Sequence, residues 1–207
     1  ALRYRGEASE DVIQCAFESL DRGLTLYTAS DKCSVQTVFL LDEGADIFYD
    51  VSALEDDEKL AGLCAESKIP VILMHKRSTP DVMQNNTEYQ DIFKEVDLYL
   101  RQRVEYALKQ GISSDKIIVD PGIGFGKNMT DNCTLIRRCG QLCDSKYPVL
   151  MALSRKTVIG QLCNREIQDR MIGTVAADLI AVMNGATLVR VHDVKEAVDS
   201  LDRKSVV

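Results

Sequence analysis

Short, nearly unbroken apolar runs alternate with longer amphipathic stretches along the chain. The runs are Leu24 to Thr28, Asp46 to Val51, Pro70 to His75, Ile117 to Asp120, Pro148 to Ser154 and Thr187 to Asp193. Rich in β-branched and aliphatic residues and lacking strict alternation, they read as strands buried on both faces of a parallel sheet. Between them the period lengthens to that of a helix. Val12, Ile13, Ala16, Phe17 and Leu20 share one helical face between a Ser9 cap and Gly23, and Ile92, Phe93, Val96, Leu100, Val104, Ala107 and Leu108 form a stripe that stops at Gly111.

Strand and helix in alternation predict βαβ units, built either as an open doubly wound sheet or as a (β/α)8 TIM barrel. The strand ends favour the barrel. Thr28, Asp50, His75, Asp120, Ser154 with Lys156, and Arg190 with His192 and Asp193 all stand at carboxyl ends, and in a barrel every such end faces one mouth. An open sheet gathers only those near its switch point. A barrel has eight strands in about 250 residues, so six visible βα units in 207 residues leave the first two apparently absent. With no repeat, linker or low-complexity tract, residues 1–207 are expected to form a single, N-terminally incomplete domain. The longest irregular connection, Lys76 to Glu88 with Ser78-Thr79-Pro80, suits an active-site loop or a surface one equally.

Charge narrows the partners. The formal net charge is −7 and the basic residues are scattered, which gives nucleic acid and anionic membranes no electrostatic foothold. No run of 18 uncharged apolar residues occurs and Ala1 to Glu10 is polar, so neither a membrane span nor a signal peptide is expected and the cytoplasm is the default. Seven cysteines, without paired CxxC spacing, are expected to be mostly reduced and buried rather than metal ligands.

Three motifs carry chemistry. Asp120-Pro121-Gly122-Ile123-Gly124-Phe125-Gly126-Lys127 follows a strand. Its alternate glycines let backbone approach a flat ligand, and the acid can accept two hydrogen bonds from an amidine-like edge such as a pterin's. A plain glycine-rich turn with an Asp cap explains the same residues. The spacing is neither the dinucleotide fingerprint nor a P-loop. Ser154-Arg155-Lys156-Thr157 opens a helix after a strand, which suits a carboxylate or phosphate, or is a solvated basic turn. In Arg190-Val191-His192-Asp193, strand alternation puts Arg190 and His192 on one side, fit for a phosphate, although a structural bond from His192 to Asp193 is the plainer alternative. His75 reads as a structural residue.

Taken together and in this order, the DPGIGFGK turn, the SRK strand end and the VRVHDV terminal strand resemble dihydropteroate synthase, a pterin-binding family. VILMH, Asp50-Val51-Ser52 and Gly173-Thr174-Val175-Ala176-Ala177 support the resemblance, which runs from about Leu24 to Leu201. It implies a transferase of folate biosynthesis that condenses 6-hydroxymethyl-7,8-dihydropterin diphosphate with p-aminobenzoate, giving 7,8-dihydropteroate and pyrophosphate. It also implies Mg2+, sulfonamide sensitivity and a homodimer through the last helices.

By the same resemblance Asp120 binds the amino-pyrimidine edge, Lys156 the ring carbonyl, and Arg190 with His192 the diphosphate. Gly124, Phe125, Lys127, Ser154, Arg155, Thr157 and Met74 line the substrates, with Phe125 and the Lys156-Thr157 helix start at the p-aminobenzoate end. The chain departs from the family where Leu26-Tyr27-Thr28 replaces Asp-Thr and Phe48-Tyr49-Asp50 replaces Asn-Asp-Val, which puts Tyr27 and Tyr49 at the pterin pocket. A non-catalytic homologue and a pterin-dependent methyltransferase domain on the same barrel are the other readings. Ser154-Arg155-Lys156 argues against the second.

Overall fold

The structure is a computed structural model that describes residues 12–19 and 22–29 by their backbone, and residues 46–77 and 88–202 with side chains except those of Glu58 and Asp202. Seven strands are described, in a five-stranded sheet of order β1-β2-β3-β4-β5 and a two-stranded sheet β6-β7. The strands are β1 (Val12–Ser19), β2 (Arg22–Ala29), β3 (Ile47–Asp50), β4 (Val71–Met74), β5 (Ile117–Asp120), β6 (Leu150–Met151) and β7 (Leu188–Val189). The helices are α1 (Glu58–Ser67), α2 (Ile92–Lys109), α3 (Met129–Arg138), α4 (Thr157–Cys163), α5 (Met171–Met183) and α6 (Val194–Asp202).

Strands β2 to β7 fall where the apolar runs predict them. The stretch before them does not follow its expected helix: Val12–Ser19 is a strand, antiparallel to β2, with Val12 opposite Ala29 and Ser19 opposite Arg22. Ile13, Cys15 and Phe17 alternate with Gln14 and Glu18, so this segment satisfies a period of two as well as 3.6, and Val, Ile and Phe favour the strand. The Ser9 cap lies outside the described residues, as does Ser78-Thr79-Pro80.

Contacts group the chain into two compact units, residues 1–75 with 99–119 and residues 76–98 with 120–207. In the first, β2 pairs with β3 and β3 with β4 in parallel, Tyr27 standing beside Phe48 and Tyr49 beside Ile72. Phe48, Tyr49 and Val71 through Met74 are buried, as unalternating strands require. The turn after β3 is tied to Asp50: its Oδ1 accepts from the Ser52 amide at 2.8 Å and hydroxyl at 2.7 Å, and its Oδ2 from the Leu54 amide at 2.5 Å. Ala53 and Leu54 take left-handed φ, and Arg103 donates to both their carbonyls.

Helix α2 buries its expected stripe except Leu108, which is 40% exposed. It ends as predicted at Gly111, whose φ is +92°. In the second unit β6 pairs with β7 in parallel, Leu150 with Leu188 and Met151 with Val189. Both strands are shorter than their apolar runs: Val149 contributes only a bridge, its carbonyl accepting from the Thr187 and Leu188 amides, and Ala152 and Leu153 are buried beyond the end of β6. No helix among the described residues is long and apolar enough to cross a membrane.

Candidate active site

The second unit brings the three motifs together. Asp120 ends β5 fully buried, and its Oδ1 accepts from the Gly122 amide at 2.7 Å, so the acid folds the loop that follows it. Gly122, Gly124 and Gly126 all have positive φ. At Gly124 the demand is double, since φ is +83° and a Cβ there would meet Lys156 Cδ at 3.4 Å.

Asn132 holds the loop's far side. Buried in the first turn of α3, it accepts from the Gly124 amide at 2.9 Å and donates to the carbonyls of Lys127 (3.2 Å) and Asn128 (2.8 Å). Asn128 caps that helix in a reciprocal box with Asp131. Sequence reasoning passed over Asn132, although an Asn just inside a capped helix that follows a glycine-rich loop is a usable signal.

Two lysines serve this loop. Lys127 is buried, its Nζ donating to the carbonyls of Gly122 and Phe125, both at 2.9 Å. Burial pushes it down to about 7, with Asp120 opposing and Lys156 adding to the fall. Lys156 Nζ donates to the Ile123 carbonyl at 2.5 Å and lies 4.9 Å from the centre of the Phe125 ring. Burial brings it to about 8, Asp120 opposing and Arg190 adding. Asp120, Lys156 and Arg190 therefore share one field, and Phe125 stands beside the same ammonium.

Arg155 has φ +57°, donates its amide to Thr174 Oγ1 at 3.0 Å, and grips Asp193 with two bonds of 3.2 and 2.6 Å. Asp193 thus pairs with Arg155 rather than with His192. The imidazole Nδ1 lies 2.8 Å from Ser154 Oγ, which also accepts the His192 amide at 3.1 Å. Burial, then the cations Arg155 and Arg190, push His192 below its ordinary range against Asp193, so it is mainly neutral near pH 7. A cavity of about 510 Å³ is lined by Gly124, Lys127, Asn132, Thr157, Val158 and Gln161 among others. Thr157 is exposed at the start of α4.

The remaining candidates lie in the first unit. Tyr49 is 1% exposed and donates its hydroxyl to Met74 Sδ at 3.2 Å, so the two expected pocket residues are packed on each other. Tyr27 stands in β2, its side chain outside the described residues. His75 is buried edge-on against Tyr99, ring centres 4.9 Å apart, in keeping with a structural role.

Known proteins carry the same pattern. Residues 34–192 match the family model described as pterin binding enzyme. Dihydropteroate synthase of Escherichia coli K12 is 39% identical over 158 residues, covering 76% of this chain and 56% of that one. The chain thus spans little more than half the length of that relative. Dihydropteroate synthase of Xanthomonas albilineans in complex with 7,8-dihydropteroate is 38% identical with a TM-score of 0.73, over 80% of this chain and 60% of that one. The enzyme of Thermus thermophilus is 33% identical with a TM-score of 0.83, over 89% and 73%. That likeness fixes the fold class as α/β, of the (β/α)8 barrel type that the strand ends imply. With its glycine-rich acid turn, its SRK turn and its matched residues, the chain belongs to the pterin-binding enzyme family.

Proposed function

We propose that the chain acts, as one pterin-binding domain, as a dihydropteroate synthase. It would join 6-hydroxymethyl-7,8-dihydropterin diphosphate to p-aminobenzoate and release pyrophosphate. The observation that carries this reading is the convergence of Asp120, Lys156 and Arg190 in one field, with Lys156 bridging the glycine-rich loop and the Phe125 ring.

The reaction breaks the bond from the pterin methylene carbon to the diphosphate oxygen, leaving a cation conjugated with the ring. The arylamine nitrogen then bonds to that carbon and sheds a proton. Asp120 would accept from the amino-pyrimidine edge and Lys156 would donate to the ring carbonyl. Arg190, with the imidazole of His192, would meet the charge that grows on the leaving group. A weakly basic arylamine attacking a cation requires no strong base, which suits a site whose cations outnumber its acids. Phe125 and Thr157 would flank p-aminobenzoate, and a sulfonamide would compete there.

Mg2+ would arrive on the diphosphate. Among the described residues no cluster of three His, Cys, Asp or Glu side chains is placed to hold a metal ion, and Mg2+ commonly relies on substrate phosphates with few protein ligands. The chain would work in the cytoplasm, where its described cysteines, Cys64, Cys133, Cys139, Cys143 and Cys163, stay free thiols. It would do so as a homodimer, because α5 exposes Ile172 (76%), Ile180 (48%) and Met183 (75%) on the face opposite buried Thr174, Asp178 and Ala181.

The test is calorimetric titration with the pterin diphosphate and Mg2+, followed by p-aminobenzoate and an assay of pyrophosphate release. Turnover that Asp120→Asn loses supports the synthase. A second reading, a non-catalytic homologue, draws on Tyr49, whose ring is buried and tied to Met74 where the family carries an Asn-Asp pair. A folded chain that ignores the pterin, and regains binding with Tyr49→Ala, which removes the ring, would favour it.

A further inference from the structure

The turn that presents Lys156 is held from behind by a residue that touches neither the loop nor Phe125. Arg170 immediately precedes α5, and its Nη1 donates to the carbonyl of Arg155 at 2.9 Å while its Nε donates to that of Arg165 at 3.0 Å. Its Nε, Cζ and Nη2 atoms occupy the space that a Cβ at Gly160, within α4, would need. The guanidinium thus has a seat with no room for any side chain beneath it. Thr174, one turn further along α5, takes the Arg155 amide, and its own amide bonds to the Arg170 carbonyl at 2.8 Å.

Both polar groups of the Arg155 backbone, a residue of left-handed φ, are therefore fixed by the start of α5. We propose that Arg170 is a positioning residue for Lys156: seated on Gly160, it locks the Arg155 carbonyl and so the left-handed turn from which Lys156 reaches Ile123 and Phe125. A guanidinium fits because two carbonyls lying in different directions need a planar fork of donors, which an ammonium cannot supply from the same seat. Without it the Arg155 carbonyl loses its partner, the turn can relax toward ordinary φ, and Lys156 leaves the loop.

The test reads Lys156 directly. Trace acetylation with acetic anhydride across pH, quantified at Lys156 by mass spectrometry, is compared in wild type, Arg170→Ala and Arg170→Lys. Wild type should titrate near 8, and both variants should move at least about one unit toward the ordinary lysine value near 10.4. Turnover should fall about tenfold to a hundredfold, carried by kcat more than KM, as a misplaced group produces. Millimolar guanidinium ion should restore part of the loss in Arg170→Ala.

A folded Arg170→Ala with unchanged Lys156 titration and unchanged turnover overturns the proposal. If both Arg170 variants lose the wild-type circular dichroism, Gly160→Ala is read in their place, since it evicts the guanidinium without removing it; wild-type behaviour there overturns the proposal equally. The turnover arm rests on the synthase reading. A wild type that titrates near 8 but makes no pyrophosphate would sink that reading and leave the labelling result to decide on Arg170.

Discussion

Asp120 folds the loop after β5 and, in the proposed mechanism, binds the pterin, and a single substitution separates the two tasks. Asn in its place keeps the acceptor for the Gly122 amide but cannot take two hydrogen bonds as a charged partner. Asp120→Asn should therefore fold normally while pterin affinity by calorimetry falls about a hundredfold, about 2.7 kcal/mol. It also removes the anion that holds both lysines up. A second prediction concerns pH. In the proposed mechanism Lys156 acts as a protonated donor, and burial brings it to about 8, so kcat/KM should be full below that value and decline as pH rises through it. Lys156→Arg should abolish that alkaline limb whatever activity remains, and a limb still near 8 in the variant would assign it elsewhere. The residues behind these predictions were legible because each stands at a strand end. Arg155 with Asp193, 38 positions apart, was not, since no local pattern pairs residues at that separation. Arg170 was hidden for a like reason, its bond to the Arg155 carbonyl going to backbone that only the fold brings near, whereas Asn132 bonds to nearby residues and its place in a capped first turn was there to be read.

Periodicity served the elements well where one period dominates. The α2 stripe and its Gly111 stop are both found, while Val12–Ser19 fits two periods at once and its pairing with β2 decides between them. Helix α5 shows what periodicity cannot see. Its buried face carries Asp178, fully buried, with no hydrogen-bond partner among the described residues for either carboxyl oxygen, and burial lifts the carboxyl to about 7. The folded state then binds a proton that the unfolded chain, near 3.8, has released. Stability should decline as pH rises between those two values and stay low above them, by up to about 4 kcal/mol. Asp178→Asn or Asp178→Ala should raise Tm at pH 8 and change it little at pH 4, by differential scanning calorimetry. An equal effect at both pH values would mean that the carboxyl is not the source.

Over the whole molecule the formal charge is −7, yet Lys127, Arg155, Lys156 and Arg190 gather in one unit, so attraction for an anionic substrate is local. The proposed homodimer is tested at this scale too. Ile172→Glu with Met183→Glu should shift the mass found by analytical ultracentrifugation from dimer to monomer, and a wild type that is already monomeric would refute the homodimer. The barrel class was readable from strand ends alone, whereas the grouping of 99–119 with the amino-terminal residues depends on contacts that no run of residues announces. The seat of Arg170 on Gly160 bears on descent as well. A chain that lost the arginine first would leave a bare hollow on α4 that an alanine could fill, while one that gained the alanine first would expel the arginine. The two positions should thus drift as a pair, and a related chain with a side chain at 160 should be found to steady its lysine by some other means.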